Sequence, residues 1–143
     1  MAAGYAAFAS TPDAGFVFGG RTYNRTNAGS QNLRQYASFN FKTEPWTRHE
    51  KPPFYTSNSS LWGGKAIYVP DSGPNGLIFI LGGLGMRNTD EYKYVPFNII
   101  YFMDPVTDEW YDQVASSPNN QTPLGRHEHC IAGLSGPNGT YDM

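Results

Sequence analysis

The chain has 143 residues and a net charge of −2, with 16 glycines, 11 prolines, 15% aromatic residues and only 15% charged residues. Average proteins carry about 25% charged residues, so this composition indicates an all-β protein of short strands and excludes a helical bundle, a coiled coil or a disordered chain. No apolar run is long enough to span a membrane, and the scattered Lys and Arg form no basic stripe for binding nucleic acid.

Landmarks recur along the chain at a spacing of 63 or 64 residues. A diglycine ends a run of strand-forming residues at 19–20 and again at 82–83. A tryptophan follows a short turn at Trp46 and again at Trp110, and the string SGPNG occurs twice at the same spacing. Three landmarks that share one period indicate an internal repeat.

The first repeat, about residues 1–50, is predicted to contain four strands. They cover 6–10, 16–18 and 34–39, and Trp46 opens the fourth. Aligned on the tryptophans of the two repeats, Asn40 matches Asp104, Thr43 matches Thr107 and Glu44 matches Asp108. The diglycine permits unusual backbone angles and close strand packing, which suits the end of a strand.

The second repeat, about residues 51–116, fits the same frame. Its strands are predicted at 65–69, 77–81 and 98–103, with the fourth starting at Glu109 and Trp110. Residues 70–76 form a turn, and 84–95 are predicted to be a loop. The apolar runs in the second and third strands are continuous rather than alternating, which predicts strands buried on both faces by stacked sheets.

A third repeat begins within residues 117–143, with a first strand predicted at 129–134 and a second near Thr140. The next diglycine would fall at 145–146, beyond Met143. We therefore expect a piece of a longer repeat protein; the alternative is a short protein whose copies assemble to complete the fold. Two stacked repeats leave one sheet face bare at each end, so we expect the isolated chain to be marginally stable and prone to aggregate.

This organisation resembles the kelch repeat, in which four antiparallel strands form one blade of a β-propeller. The resemblance covers essentially the whole chain and depends on the diglycine closing strand two, the aromatic third strand and the Trp after the following turn. It implies an all-β, partial kelch propeller of about two and a quarter blades, with the blade boundaries given above. The repeat positions that it marks as structural are Gly19, Gly20, Trp46, Gly82, Gly83 and Trp110.

The long loops, the SGPNG turn and the WYDQ sequence that starts at Trp110 most resemble fungal kelch proteins, which carry an extracellular propeller on a membrane anchor. The resemblance implies a cell-surface or extracellular parent protein that is glycosylated. Four Asn-x-Ser/Thr sequons lie in predicted loops or turns, at Asn24, Asn58, Asn120 and Asn138. The single cysteine, Cys130, has no partner for a disulfide within the chain.

One segment has the residue types of a metal site. His127 and His129 are two apart, so a strand would place both on one face. The 63-residue alignment, however, sets Cys130 opposite Ile67, which predicts a buried core position. The loop that starts at Gly82 lacks the third glycine and the helix of a dinucleotide site. We therefore assign no catalytic, cofactor-binding or metal-binding residue.

The sequence favours a non-enzymatic scaffold whose loops bind a protein or a glycan. Loops on a rigid scaffold commonly carry function, and the longest predicted ones are 83–97 and 114–123. The alternative is a piece of a kelch-propeller enzyme, such as a copper oxidase similar to galactose oxidase, with its catalytic residues outside this chain.

Overall fold

A computed structural model describes residues 3–23, 30–50, 52, 61–86, 92–117, 119 and 121–143. Within these ranges the chain is all β apart from short 3-10 turns, which confirms the predicted class. The strands are β1 (Ala3–Gly4), β2 (Ala7–Ser10), β3 (Ala14–Phe18), β4 (Arg21–Tyr23), β5 (Ser30–Asn32), β6 (Tyr36–Asn40), β7 (Trp46–Arg48), β8 (Leu61–Trp62), β9 (Lys65–Val69), β10 (Leu77–Leu81), β11 (Leu84–Met86), β12 (Tyr92–Tyr94), β13 (Ile99–Met103), β14 (Trp110–Val114), β15 (Leu134–Ser135) and β16 (Tyr141–Asp142).

Each of the first two repeats forms one antiparallel sheet of four strands. The first main sheet has the order β2-β3-β6-β7, and the second main sheet has the order β9-β10-β13-β14. In the first, Phe18 pairs with Tyr36, and in the second, Ile80 pairs with Tyr101. The four strands expected in each repeat are therefore present, and each pairs with the next of the four.

Two smaller sheets, each of three strands, accompany the main ones. Their orders are β1-β4-β5 and β8-β11-β12, so the same arrangement occurs once in each repeat. The prediction of a loop at 84–95 is therefore wrong, because this segment holds β11 and β12. Its strands have only three residues each, too few to show a hydrophobic period. They are stabilised by pairing, since β11 lies between β8 and β12.

The third repeat is less regular than predicted. Leu134–Ser135 pairs with Tyr141–Asp142, and the remainder of the predicted strand 129–134 is not in a ladder. A strand needs a partner along its length, and β16 provides only two paired residues. The prediction that Cys130 is buried is also wrong, since this free cysteine is exposed.

The core lies between the inner faces of the two main sheets, where β2 lies beside β9. Both sheets contribute aromatic or aliphatic side chains with almost no exposed area. The buried cluster comprises Ala7, Phe16, Phe18 and Tyr36 from the first main sheet, Ala66, Ile78, Ile80 and Met103 from the second, and Leu61 from β8. In β10 the fully buried side chains alternate, at Ile78 and Ile80, while the residues between and beside them are half-buried, so the prediction that this apolar run is buried on both faces is wrong.

Candidate functional site

Both diglycines adopt backbone angles that favour glycine. The φ angles are +60° and +95° at Gly19 and Gly20, and +62° and +96° at Gly82 and Gly83. A Cβ on Gly83 would lie 2.8 Å from the backbone nitrogen of Gly64. Both the backbone angle and the lack of space therefore require glycine at this position.

The second glycine of each pair joins its repeat to the next one through main-chain atoms. The Gly20 N–H donates to the Leu61 carbonyl at 2.8 Å, and the Gly83 N–H donates to the Arg126 carbonyl at 2.7 Å. The same contact thus occurs between the first and second repeats and between the second and third. These four residues form what we call the diglycine junctions.

A second series of backbone hydrogen bonds runs across all three repeats. The Gly63 N–H donates to the Tyr5 carbonyl at 2.7 Å, and the Glu128 N–H donates to the Gly63 carbonyl at 2.7 Å. All three residues have positive φ, of +61° at Tyr5, +69° at Gly63 and +55° at Glu128. Since Glu128 occupies the place of Gly63, Cys130 corresponds to Lys65, and the sequence alignment of Cys130 with Ile67 is wrong.

The turn between the third and fourth strands also repeats. Asn40 Oδ1 accepts from the N–H groups two and three residues on at 2.9 and 3.0 Å, and Asp104 Oδ1 does the same at 2.8 and 3.1 Å. Glu44 and Asp108 then take φ angles of +59° and +62°. The structure thus supplies the reason for the matched residues of the two repeats, because both turns use an Asx side chain as a cap.

Asp104 is the buried member of this pair of turns. Burial raises the pKa of its carboxyl, but the Asn75 side chain at 2.9 Å and the N–H groups of Thr107 and Val106 hydrogen-bond the charged form. The net effect is a pKa below the ordinary value. Asn75 belongs to the first SGPNG string, so this contact ties that turn to the next one in the same sheet.

The two tryptophans have the same backbone position but different surroundings. Trp110 is half-buried against the first main sheet, with its ring 5.9 Å from Phe18 and 5.4 Å from Tyr36. Trp46 is 64% exposed and contacts Phe39 of its own sheet at 5.2 Å. Of the two tryptophans expected to be structural, Trp110 packs between the two main sheets, whereas the described residues show Trp46 against its own sheet.

A polar cluster that the sequence analysis missed lies between the two main sheets. Ser38 Oγ is 2.7 Å from His49 Nε2, and His49 Nδ1 is 3.5 Å from Asp108 Oδ2. Tyr36 donates its hydroxyl hydrogen bond to Asp108 Oδ1 and stacks on the His49 ring with centroids 4.3 Å apart. Tyr36 and Ser38 lie in β6, His49 directly follows β7, and Asp108 lies in the turn before β14 of the second repeat. No local sequence pattern therefore signals the cluster.

The contacts from Ser38 to His49 and from His49 to Asp108 follow the order of the nucleophile, the base and the acid in a catalytic triad. Burial lowers the pKa of His49, so the imidazole is neutral at pH 7, and burial raises the pKa of Asp108. Ser38 lies in the middle of β6 with paired strands on both sides, so its N–H belongs to a ladder. Acyl transfer needs backbone donors aimed at the oxyanion. We therefore assign the cluster as a polar contact between sheets.

The two histidines of the third repeat contact different groups. The His127 ring lies 5.5 Å from Trp62 and 5.6 Å from Tyr94. The His129 ring lies 5.1 Å from Phe97, and burial lowers its pKa. Across the described ranges, no group of three or more His, Cys, Asp and Glu residues is placed to hold a metal ion.

Three of the four sequons, at Asn24, Asn58 and Asn120, lie outside the described residues, while Asn138 lies in the 3-10 turn Pro137–Gly139. In the part of the chain that the structure covers, no helix has the length and apolarity needed to cross a membrane. Comparison with models of known protein families finds no match, and comparison with curated proteins finds none either.

Proposed function

We propose that this chain builds successive blades of a kelch-type β-propeller and acts as a non-enzymatic binding scaffold. The observation that carries the architectural part is the pair of diglycine junctions. Each junction uses the same donor and acceptor atoms, so each repeat is placed on its neighbour in the same way. A stack of four-stranded sheets related by one repeated step is the arrangement from which propellers are built.

The binding part of the proposal concerns the connection between the second and third repeats, residues 114–123. Val114 at its start is 68% exposed, and Leu124 directly after it is 84% exposed. Exposed apolar side chains beside a loop are suited to contact with another protein. Of the two loops predicted to bind, 114–123 is favoured because 83–97 contains β11 and β12.

A matched set of variants tests this assignment. The full chain, the double variant Val114→Asp with Leu124→Asp, and Val106→Asp would each be immobilised and exposed to a cell-surface protein extract and to a glycan array. Val106 is 73% exposed but lies in the turn between β13 and β14, so it controls for adding a charge. Loss of a saturable protein partner in the double variant alone is the expected result. Equal capture by all three proteins contradicts the assigned loop, and binding to glycans alone favours the glycan alternative.

The oxidase alternative requires copper. Because this alternative has its catalytic residues outside this chain, calorimetric titration of the full-length parent protein with Cu²⁺, followed by an assay for hydrogen peroxide production with a primary alcohol, separates it from the scaffold. Heat consistent with weak, non-stoichiometric binding and no peroxide is expected. A stoichiometric copper site with turnover would overturn the non-enzymatic proposal.

The resemblance to extracellular kelch proteins further leads us to propose glycosylation and a cell-surface location. Asn138 is the sequon whose backbone is described, in the 3-10 turn whose other two residues, Pro137 and Gly139, are exposed. Expression in a secretory host, with and without the Asn138→Gln substitution, would test this by the mass lost on removal of N-glycans.

A further inference from the structure

The turn between β9 and β10 ends in the dipeptide Asn75–Gly76, which closes the first SGPNG string. Asn-Gly is the dipeptide most prone to deamidation, because glycine has no side chain to shield its main-chain nitrogen from the preceding side-chain amide. Gly76 has a φ angle of +69°, and a Cβ on it would displace the ring of Tyr68. The fold therefore favours glycine at this position and keeps the reactive dipeptide in the turn.

Asn75 is held through both its side chain and its main chain. Its Nδ2 donates to Asp104 Oδ2 at 2.9 Å, and its main-chain carbonyl accepts from the Tyr68 hydroxyl at 3.1 Å. Asp104 is buried, and its Oδ1 accepts from the N–H groups of Val106 and Thr107 at 2.8 and 3.1 Å. The side chain of Asn75 is therefore fixed against the turn between β13 and β14.

The two contacts of Asn75 act on deamidation in opposite directions. A hydrogen bond donated to its main-chain carbonyl draws electrons from the peptide group and makes the Gly76 N–H easier to deprotonate. The charge-assisted bond to Asp104 pushes electrons toward the side-chain amide, which makes the Asn75 Cγ a poorer electrophile, and it also holds that Cγ in place. The turn thus combines a reactive nitrogen with a target that one charged contact restrains.

We propose that Asn75 is a deamidation site and that its contact with Asp104 keeps the reaction slow. When the contact opens, the Gly76 main-chain nitrogen loses its proton to water and bonds to Asn75 Cγ. The Cγ–Nδ2 bond breaks, and Nδ2 takes up a proton and leaves as ammonia. Water then opens the succinimide at either carbonyl, which gives aspartate or isoaspartate. The sequence of steps consumes only water.

The conversion is one-way, because its product cannot restore the contact. The new carboxylate has no N–H to donate to Asp104 Oδ2, and it replaces the donor of the 2.9 Å hydrogen bond with a second negative charge. Like charges at this distance repel each other, and one of them is buried. Deamidation therefore separates the turn at 70–76 from the turn before β14 and loosens the second main sheet where these turns meet.

The test follows conversion at residue 75 by peptide mapping and mass spectrometry while the full chain is incubated at mildly alkaline pH. Asp104→Ser is the test variant, because a serine hydroxyl can still cap the turn but is too short to hold Asn75. Conversion is expected to be about tenfold faster in this variant, which corresponds to the loss of a hydrogen bond to a charged group. Asn75→Gln should remove the signal, since its longer side chain does not form the five-membered ring readily.

A second variant guards against poor folding of the first. Asp104→Asn keeps the cap that Asn40 provides in the first repeat, and its neutral amide cannot push electrons toward Asn75 as a carboxylate does. Conversion should therefore be faster in this variant as well. Circular dichroism checks that both variants keep their β structure.

Two comparisons separate the contact from a general loss of stability. The original chain unfolded in urea should convert faster than the folded chain, and Gly20→Ala, which perturbs the first diglycine junction, should convert at a rate close to that of the original chain. Equal rates in the folded and the unfolded chain overturn the proposal. So does a rate that neither substitution of Asp104 raises, or a rise that Gly20→Ala matches.

Discussion

The diglycine junctions make a quantitative prediction about Gly83→Ala. The φ angle of +96° costs a non-glycine residue about 1 to 2 kcal/mol. The new Cβ would lie 2.7 Å from Leu61 Cδ1 and 2.8 Å from the Gly64 nitrogen, and a backbone atom cannot rotate away as a side chain can. The resulting shift weakens the 2.7 Å hydrogen bond to the Arg126 carbonyl, which adds about 1 kcal/mol.

Together these effects lower the free energy of unfolding by about 2 to 3 kcal/mol, a large part of the stability of a small domain. Urea denaturation followed by tryptophan fluorescence would measure the change. Gly85→Ala is the matched control, because its new Cβ has no neighbour closer than 3.8 Å and its φ angle is not in the left-handed region. The control is expected to change stability by less than about 1 kcal/mol.

The first repeat extends the same test. A Cβ on Gly20 would lie 2.9 Å from the Gly4 carbonyl oxygen at a φ angle of +95°, so Gly20→Ala should be as costly as Gly83→Ala. If Gly83→Ala and Gly85→Ala have the same effect, the requirement for glycine at the junctions is refuted. If Gly20→Ala alone is harmless, the two junctions are not equivalent.

Three further predictions concern the core and the inter-sheet contacts. Phe18 is fully buried, so Phe18→Ala should lower the free energy of unfolding in urea by about 3 to 5 kcal/mol. Phe41 is exposed, so the control Phe41→Ala should change it by less than about 1 kcal/mol. Trp110→Ala should be more destabilising than Trp46→Ala by at least about 1 kcal/mol, since Trp110 packs on Phe18 and Tyr36, and equal losses would contradict the described surroundings. Burial lowers the pKa of His49, so the unfolded chain binds a proton at a higher pH than the folded chain does. Stability should therefore fall as the pH decreases below about 6.5. The urea midpoints of His49→Gln at pH 7.5 and pH 5.0 should differ less than those of the original chain.

The repeats could be predicted because their signals are local. The strands at 65–69 and 77–81 have the predicted bounds, since each is an apolar run closed by turn residues. The junction partners could not be predicted, because Leu61 and Arg126 share no chemistry and act through their carbonyl groups. Only the packing of one repeat on the next makes those groups equivalent.

The parts that were missed depend on contacts between distant segments. The polar cluster brings His49 to Asp108, 59 residues further along the chain, and only the stacking of two sheets brings them together. The two smaller sheets could not be predicted because their strands are only two or three residues long. Cys130 was misplaced because the structural register shifts by two residues between the second and third repeats, a shift that the SGPNG strings do not show.

The positive φ angles at Tyr5, Gly63 and Glu128 have a consequence for how such a chain can evolve. An aromatic residue, a glycine and an acid occupy one structural position because the hydrogen bonds between repeats use its amide and carbonyl groups, and at Tyr5 the ring also packs on Trp62 of the second repeat. A change of side chain keeps the donor and acceptor atoms, although at Gly63 a Cβ would lie 2.9 Å from the His127 Cβ and glycine is favoured. Neighbouring repeats can therefore diverge in sequence until little resemblance remains, while the spacing and orientation of their sheets are preserved.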